Sequence, residues 1–238
     1  MRTVVFFAGL WLLAINLFAE DEKKMIAYWS FDEGKGDVVA DLSGSKMDGK
    51  IQNNMQAVEW VEGRKGMALR FAGSKEPGKN GCVYVKNFKT DLSKSMTMEL
   101  WVKMDANCDW QSGLFVIVSN NRDTYGPGMQ LYYNWRNFMF CTNDKNAKES
   151  YIKLTAPVAD LRDQWVHLAV TSDGKEIRLY LNGELISTKP GKLFSNDNLF
   201  IGSAYLGRNY GFQGVIDEMK IYNYTMTPDE IVTIAKLN

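Results

Sequence analysis

Asp217 and Glu218 are adjacent carboxylates in the apolar run FQGVIDEMKIYNYT, near the end of the chain. Two carboxylates on one face of a strand can act as general acid and nucleophile in glycoside hydrolysis. Only residues i, i+2 and i+4 of a strand share a face, however. We therefore expect Asp217 and Glu218 to point to opposite faces, which argues against a catalytic pair.

His167, in the segment WVHLAV, is the only histidine of the chain. Alternation places it on the same strand face as Trp165 and Ala169. The sequence contains no G-x-S-x-G nucleophile motif and no phosphate-binding glycine loop before a helix. We expect His167 to be a packed, hydrogen-bonded structural residue and the protein not to be an enzyme.

Aromatic residues alternate with asparagine and arginine in several segments between residues 109 and 212. Sugars stack their C–H surfaces on aromatic rings and bond their hydroxyls to polar side chains. The candidate carbohydrate-binding residues are Trp110, Asn120, Arg122, Tyr125, Tyr133, Asn134, Trp135, Arg136, Tyr205, Arg208 and Tyr210. The alternative is that these aromatic residues belong to a core or a sheet rim, and the neighbours Tyr132 and Tyr133 must face opposite ways.

Most of the chain has the period-two alternation of β-strands, as in MTMELWVKM. The hairpin dipeptides Asp173-Gly174 and Asn182-Gly183 predict three consecutive antiparallel strands from residue 165 onward. Other predicted strands are Met25–Phe31, Ala57–Val61, Met67–Phe71, Cys82–Val85, Leu114–Ser119, Met129–Tyr133, Asn137–Cys141, Asn198–Gly202 and Gly214–Asn223. About a dozen strands predict an all-β, two-sheet antiparallel sandwich, with a single closed barrel as the alternative.

One helix is predicted, at the C-terminal end of the sequence. Thr227 as N-cap, Pro228 in the first turn and Glu230 three residues after the cap form a capping box ahead of Ile231. No linker or internal repeat divides the chain. We therefore expect a single domain over residues 24–238.

Residues 1–19 have the plan of a signal peptide: Arg2, an apolar run and Ala19 before a charged segment. The alternative, a membrane anchor, is disfavoured because roughly 15 mostly apolar residues fall short of the about 20 that span a bilayer. The sequence thus predicts cleavage after Ala19, secretion, and no membrane association after cleavage.

Charge and cysteine content exclude several classes of partner and site. Lys plus Arg number 28 and Asp plus Glu 28, so no net charge favours nucleic acid or an anionic membrane. The three cysteines Cys82, Cys108 and Cys141 show no zinc-binding spacing. One disulfide with a spare thiol and three buried free thiols both remain open.

The ordered motifs of the chain together resemble a known family. The segments are IAYWSFDEGKGDVVADLSGSKMDGKI, WVEGRKGMALRFAG, TMELWVKM, WVHLAVTSDGKEIRLYLNGELI and LFIGSAYLGRNYGFQGVIDEMKIYNYTMTPDEI. They are similar to the laminin-G-like jelly-roll domain of the concanavalin A-like lectin/glucanase superfamily. The resemblance implies a jelly roll with one concave sheet, in a secreted module that commonly binds carbohydrate and often carries a structural calcium.

The resemblance also sets expectations for particular residues. Glucanases of the superfamily carry an E-x-D-x-x-E strand motif, whereas Glu99 and Asp105 here lie six apart with no carboxylate between them. Asp32 and Asp217 best match the family's acidic positions and are the predicted Ca²⁺ ligands. Alternatively, Asp32 caps a turn before Gly34, and Asp217 or Glu218 accepts backbone N–H bonds.

The functional hypothesis is therefore a secreted, non-catalytic carbohydrate-binding module whose partner is a glycan or glycoprotein. The alternatives are a protein-binding adhesive or structural domain at the cell surface and a glycoside hydrolase with an unrecognised site.

Overall fold

The computed structural model describes residues 22–52, 56–74, 76, 78–109, 113–120, 128–144, 152–204 and 210–237. The predicted signal peptide, residues 1–19, lies outside these ranges. The regular secondary structure of the described residues is almost entirely β-strand. They are β1 (Met25–Trp29), β2 (Val38–Val39), β3 (Gly49–Gln52), β4 (Val58–Glu62), β5 (Met67–Ala72), β6 (Cys82–Lys86), β7 (Met96–Met104), β8 (Leu114–Ser119), β9 (Gly128–Asn134), β10 (Asn137–Asn143), β11 (Ile152–Pro157), β12 (Trp165–Ser172), β13 (Glu176–Leu181), β14 (Glu184–Pro190), β15 (Asn198–Ile201) and β16 (Gln213–Tyr222).

The strands form two antiparallel sheets, which confirms the predicted two-sheet jelly roll. Sheet 1 has the order β14-β13-β12-β7-β16-β5-β4, and β1 also pairs with β16. Sheet 2 has the order β11-β10-β9-β8-β15-β6-β3-β2. Along the edge of β16 that faces away from β7, β5 pairs with residues 213–216 and β1 with residues 219–222. Residues 217 and 218 lie at the junction between these two partners.

The core lies between the two sheets. From β7 it receives Met96, Met98, Leu100, Val102 and Met104, whereas the intervening Thr97, Glu99, Trp101 and Lys103 face outward. This is the predicted alternation, and it fills the space between the sheets with apolar side chains.

Asp217 and Glu218 lie on the same face of sheet 1, so the prediction that they point to opposite faces is wrong. The register between β16 and β7 shifts between Asp217 and Lys220, as in a β-bulge, and Glu218 has a positive φ of 51°. Ile216 and Met219 on either side both enter the core. The extra residue of a bulge interrupts the period of two, which places both carboxylates on the outer face.

In the described ranges the one helix, α1 (Pro228–Lys236), covers part of the outer face of sheet 1. Thr227 Oγ1 accepts the N–H of Glu230, and the Glu230 side chain accepts the N–H of Thr227, so the predicted capping box is confirmed. Ile231 packs with Ala169 and Tyr180 of the sheet. The helix therefore buries an outer face that alternation alone would leave to solvent.

All three cysteines are buried free thiols in this structure. Burial raises the pKa of Cys82 to about 12 and that of Cys108 to about 11. Of the two possibilities left open by the sequence, the structure thus has the free thiols. Within the described residues, no helix is both long and apolar enough to cross a membrane.

Candidate functional site

A polar cavity of about 150 Å³ opens on the outer face of sheet 1, beside α1. We call it the sheet 1 cavity. Its lining residues are Arg64, Lys65, Glu99, Trp101, Glu218, Lys220, Tyr222, Ile234 and Leu237. Charged groups from the connection between β4 and β5, from β7 and from β16 therefore meet in one small space.

Glu99 and His167 form a buried pair at the base of the cavity. His167 Nε2 lies 2.9 Å from Glu99 Oε2, and both residues are almost fully buried. Burial disfavours charge on Glu99, but the hydrogen bond with His167 and the positive charge of Lys220 outweigh it, so the pKa of Glu99 lies below its ordinary value. His167 is thus packed and hydrogen-bonded, as the sequence predicts.

Lys220 connects the two glutamates of the cavity. Its Nζ lies 3.3 Å from Glu99 Oε1 and 3.1 Å from Glu218 Oε2. Burial works against the ammonium charge, but the two carboxylates raise the pKa of Lys220. The Tyr28 hydroxyl donates to Glu218 at 3.0 Å, and the Tyr222 hydroxyl to Glu99 at 3.4 Å. Burial, reinforced by these carboxylates, raises the pKa of both tyrosines.

This network holds charge in place and is poorly suited to proton transfer. A general acid needs a carboxyl group with a raised pKa. Glu99 has the opposite shift, because the partners around it stabilise its charged form. The carboxylate with a raised pKa, Asp217, is fully buried and bonded to backbone N–H groups.

Asp32 and Asp217, the predicted calcium ligands, both bind the hairpin that β4 and β5 form. Asp217 Oδ2 accepts the N–H groups of Arg64 at 2.8 Å and Lys65 at 3.1 Å. Asp32 Oδ1 accepts the N–H of Met67 at 2.9 Å. For Asp217 these contacts match the alternative prediction, that it accepts backbone N–H bonds. Asp32 binds the turn that leads into β5, whereas the alternative prediction was a turn before Gly34.

Carboxylates of the described residues alone would not complete a calcium site around Asp217. Calcium takes six to eight oxygen ligands. Asp217 Oδ1 is buried without a hydrogen-bond partner, but in the described ranges no three His, Cys, Asp or Glu side chains come together as metal ligands. Burial instead raises the pKa of Asp217 to about 6. Calcium binding remains a prediction.

Two carbohydrate candidates, Tyr133 and Asn120, are buried and hold the fold together instead of facing solvent. Tyr133 is fully buried in the core, with its ring centre 5.2 Å from that of Phe138, so the ring is not accessible to a sugar. The alternation of β9 turns Tyr133 inward and Tyr132 outward. Asn120 is buried: its Nδ2 donates to the Asn196 carbonyl at 2.7 Å, and its Oδ1 accepts the N–H of Met129. The half-buried Asn134 ends β9.

Trp135 and Arg136 are exposed at the tip of the hairpin between β9 and β10. Trp135 is 66% exposed, and both residues have positive φ, 49° and 61°. Asn134 pairs with Asn137, so the turn has two residues, and positive φ at both is the signature of a type I′ turn. The Trp135 ring therefore projects from the fold at the end of sheet 2.

Tyr210 lies on the other side of β8 and is 42% exposed. Its carbonyl accepts the N–H of Val116, and Asn134, next to Trp135, pairs with Leu114. Tyr210 and Trp135 are thus near the same end of β8. The outer face of sheet 2 carries an apolar cluster that begins at this end of β8 and consists of Leu114, Val116, Tyr132, Met139, Cys141 and Ala204.

Five carbohydrate candidates lie outside the described residues: Trp110, Arg122, Tyr125, Tyr205 and Arg208. Conversely, the sheet 1 cavity was not predicted from the sequence as a site. Alternation offered one signal, since it places Glu99 with Trp101 and Lys220 with Tyr222 on one face each. Nothing in the sequence showed that these faces meet beside a helix.

Comparison with protein families matches residues 77–232 to a model of the concanavalin A-like lectin/glucanases superfamily. Pappalysin-1 of Mus musculus is 36% identical over 81 residues, which is 31% of this chain and 5% of the mouse protein. The chain therefore spans only a small part of that relative.

Solved structures share the fold at low sequence identity. The binding domain of Paraclostridial Mosquitocidal Protein 1 has a TM-score of 0.69 at 17% identity, over 89% of this chain and 52% of that one. Domain 4 of AbnA, a GH43 extracellular arabinanase from Geobacillus stearothermophilus, was solved in complex with arabinotriose. It has a TM-score of 0.68 at 19% identity, over 91% of this chain and all of that domain. The binding domain of botulinum neurotoxin DC, in complex with rat synaptotagmin II, has a TM-score of 0.66 at 15% identity, over 89% of this chain and 51% of that one.

Proposed function

Because the chain belongs to the concanavalin A-like lectin/glucanase superfamily, we propose that it is a non-catalytic carbohydrate-binding module that binds glycan around the end of sheet 2 marked by Trp135. The proposal includes export after cleavage of residues 1–19. It also includes the structural calcium, held in part by Asp32 and Asp217.

The position of Trp135 carries this proposal. Left-handed backbone at a residue other than glycine costs on the order of 1 kcal/mol, and type I′ turns favour Asn-Gly. Because Trp135 is 66% exposed, burial of its side chain offsets little of this conformational cost. Neither the turn nor the core thus accounts for Trp135, whereas an exposed indole face is what a sugar stacks on.

The surroundings of Trp135 fit the same role. Arg136 next to it is exposed and offers hydrogen-bond donors for hydroxyl groups. Tyr210 provides a second exposed ring across β8. The structural likeness to the arabinanase domain solved with arabinotriose supports a glycan as ligand, although at 19% identity the likeness itself is one of fold.

Trp135→Asn tests the proposal, because asparagine suits the turn and removes only the indole. On a glycan array that includes arabinan oligosaccharides, the wild type should bind, and the variant should bind at least about tenfold more weakly, as expected for one lost stacking contact. Leu185→Asn is the control, since Leu185 is an exposed apolar residue of sheet 1. Equal binding by Trp135→Asn and wild type would refute the assigned face.

Protein binding is the second candidate function, because a similar neurotoxin domain was solved in complex with synaptotagmin II. Absence of glycan binding both with calcium and with chelator would favour this role over the first. The hydrolase alternative is tested by incubation with polysaccharides and a reducing-end assay. New reducing ends lost on a point substitution would show catalysis.

A further inference from the structure

Arg64 presents an unpaired guanidinium to the sheet 1 cavity. Its backbone N–H is bonded to Asp217, and its guanidinium lies 3.6 Å from the centre of the Trp101 ring. Within the described part of the chain, the guanidinium has no ion pair, and Nε is buried without a hydrogen-bond partner. Stacking on Trp101 orients the guanidinium without using its in-plane donors.

Among the described residues, the carboxylates around the cavity form their ion pairs with groups other than the Arg64 guanidinium. Glu99 is occupied by His167 and Lys220, and Glu218 by Lys220 and Tyr28. Asp217 attracts the Arg64 charge, but its Oδ2 is taken by two backbone N–H groups.

Lys65 adds a second cation at the mouth of the cavity. Its Nζ is 4.0 Å from Glu218, and its side chain is 58% exposed. Arg64 and Lys65 are consecutive residues of one connection, and Asp217 holds the N–H groups of both. The cavity therefore has two adjacent cations on a fixed backbone, where an incoming anion would find them.

We propose that the sheet 1 cavity binds the carboxylate of an acidic sugar, a uronic acid, with Arg64 as a two-pronged donor and Lys65 as a second positive charge. A planar guanidinium matches a carboxylate in geometry, and because it is more weakly hydrated than an ammonium it costs less to desolvate on binding. This proposal does not rest on the glycan role of sheet 2.

The size and rim of the cavity suit such a ligand. Its volume of about 150 Å³ is well above the roughly 10–15 Å³ that a cavity needs on this measure to hold one water molecule. It can take a carboxylate and part of a ring but no long chain. Ile234 and Leu237 of the α1 end form an apolar rim, and Leu237 is 58% exposed. A sugar held by its carboxylate can lay its C–H face on this rim.

The experiment is an NMR titration of ¹⁵N-labelled protein with sodium glucuronate, glucose, sodium acetate and sodium sulfate at matched ionic strength. Glucuronate should shift the Arg64 Nε–H and Trp101 indole N–H signals saturably, and glucose should not. Acetate should shift the same signals at higher concentration, because it has the carboxylate without the ring. Shifts caused by sulfate but not by glucuronate would overturn the proposal.

Two variants decide which group binds. Arg64→Gln keeps the backbone N–H bond to Asp217, so the connection stays anchored, and should weaken glucuronate binding at least about tenfold. Lys103→Gln, with the same change in charge on the same face but outside the cavity, should bind as the wild type does. Unchanged binding by Arg64→Gln would overturn the proposal. Trp135→Asn should retain glucuronate binding, which separates this site from the face on sheet 2.

Discussion

Asp217 is the residue whose ionisation should most affect stability. Burial raises its pKa to about 6 from an ordinary value of 3.8. An acid that binds its proton more tightly in the folded state contributes stability that is fully present below the unfolded pKa and is lost as pH rises through the folded pKa. Between about pH 4 and pH 7 the loss is on the order of 3 kcal/mol at most.

We therefore predict that Asp217→Asn stabilises the protein at neutral pH. The amide oxygen can accept the same N–H groups of Arg64 and Lys65 but carries no charge. In chelator, urea unfolding at about pH 7.5 should give the variant a free energy of unfolding roughly 1–3 kcal/mol above that of the wild type, and the gap should close near pH 4. Asp37→Asn, at an exposed carboxylate, is the control. A less stable variant at pH 7.5 would contradict the prediction.

The calcium prediction can be tested with the same pair of proteins. A ligand that binds only the folded state adds RT ln(1 + [L]/Kd) to the free energy of unfolding, so the unfolding midpoint rises with the logarithm of ligand concentration above Kd. If Asp217 is a calcium ligand, millimolar calcium should stabilise the wild type and leave Asp217→Asn unchanged. An equal response of both proteins would remove Asp217 from the metal site.

Single residues were predictable from the sequence where alternation holds. His167 and the inward residues of β7 lie as the period of two requires. Asp217 and Glu218 do not, because a bulge adds one residue without a mark in the sequence. The sequence showed that Tyr132 and Tyr133 face opposite ways but not which of the two faces the core. Tyr133 therefore became a carbohydrate candidate although its ring is buried between the sheets.

At the scale of elements, the capping box of α1 should contribute measurably to stability. Replacing a threonine N-cap by alanine costs typically about 1 kcal/mol. Thr227→Ala should therefore lower the free energy of unfolding by about this amount. Thr233→Ala inside the same helix should be neutral or slightly stabilising, because its hydroxyl bonds back to the Asp229 carbonyl and alanine favours a helix. Chemical denaturation of both variants checks the difference, and equal effects would contradict a capping role.

The strands that could be predicted share long alternating runs or a favoured hairpin dipeptide. β7 and β8 have the predicted bounds, and Asn182 and Gly183 form a turn with positive φ at both residues. Three strands, β2, β3 and β11, were missed. β2 has only two residues, β3 begins with Gly49, and β11 is a sheet edge with only three inward positions. Such strands form because neighbours pair with them, which local patterns do not encode.

At the scale of the whole molecule, the fold was predictable and the sheet 1 cavity was not. The family motifs follow one another in the expected order along the chain, and together they predict the two-sheet sandwich. The cavity instead joins Arg64, Glu99, Lys220 and Leu237, which are far apart in sequence and meet only because β7 pairs with β16 and α1 ends beside the cavity. Many pairings between distant strands are compatible with one sequence, so the sequence alone does not show which residues meet at the cavity.

The three buried thiols allow a test of whether the sandwich unfolds as one unit. Cys82 is in β6, Cys141 in β10, and Cys108 follows β7, so they report on separate parts of the molecule. Burial keeps a reagent away from all three thiols, and the raised pKa values of Cys82 and Cys108 slow these two further, because the thiolate is the reactive form. We predict that a disulfide-exchange reagent labels none in the native state, that all three react in denaturant, and that near the unfolding midpoint they react at one common rate. Earlier labelling of Cys141, which lies on the outer face of sheet 2, would show instead that this face opens independently of the core between the sheets.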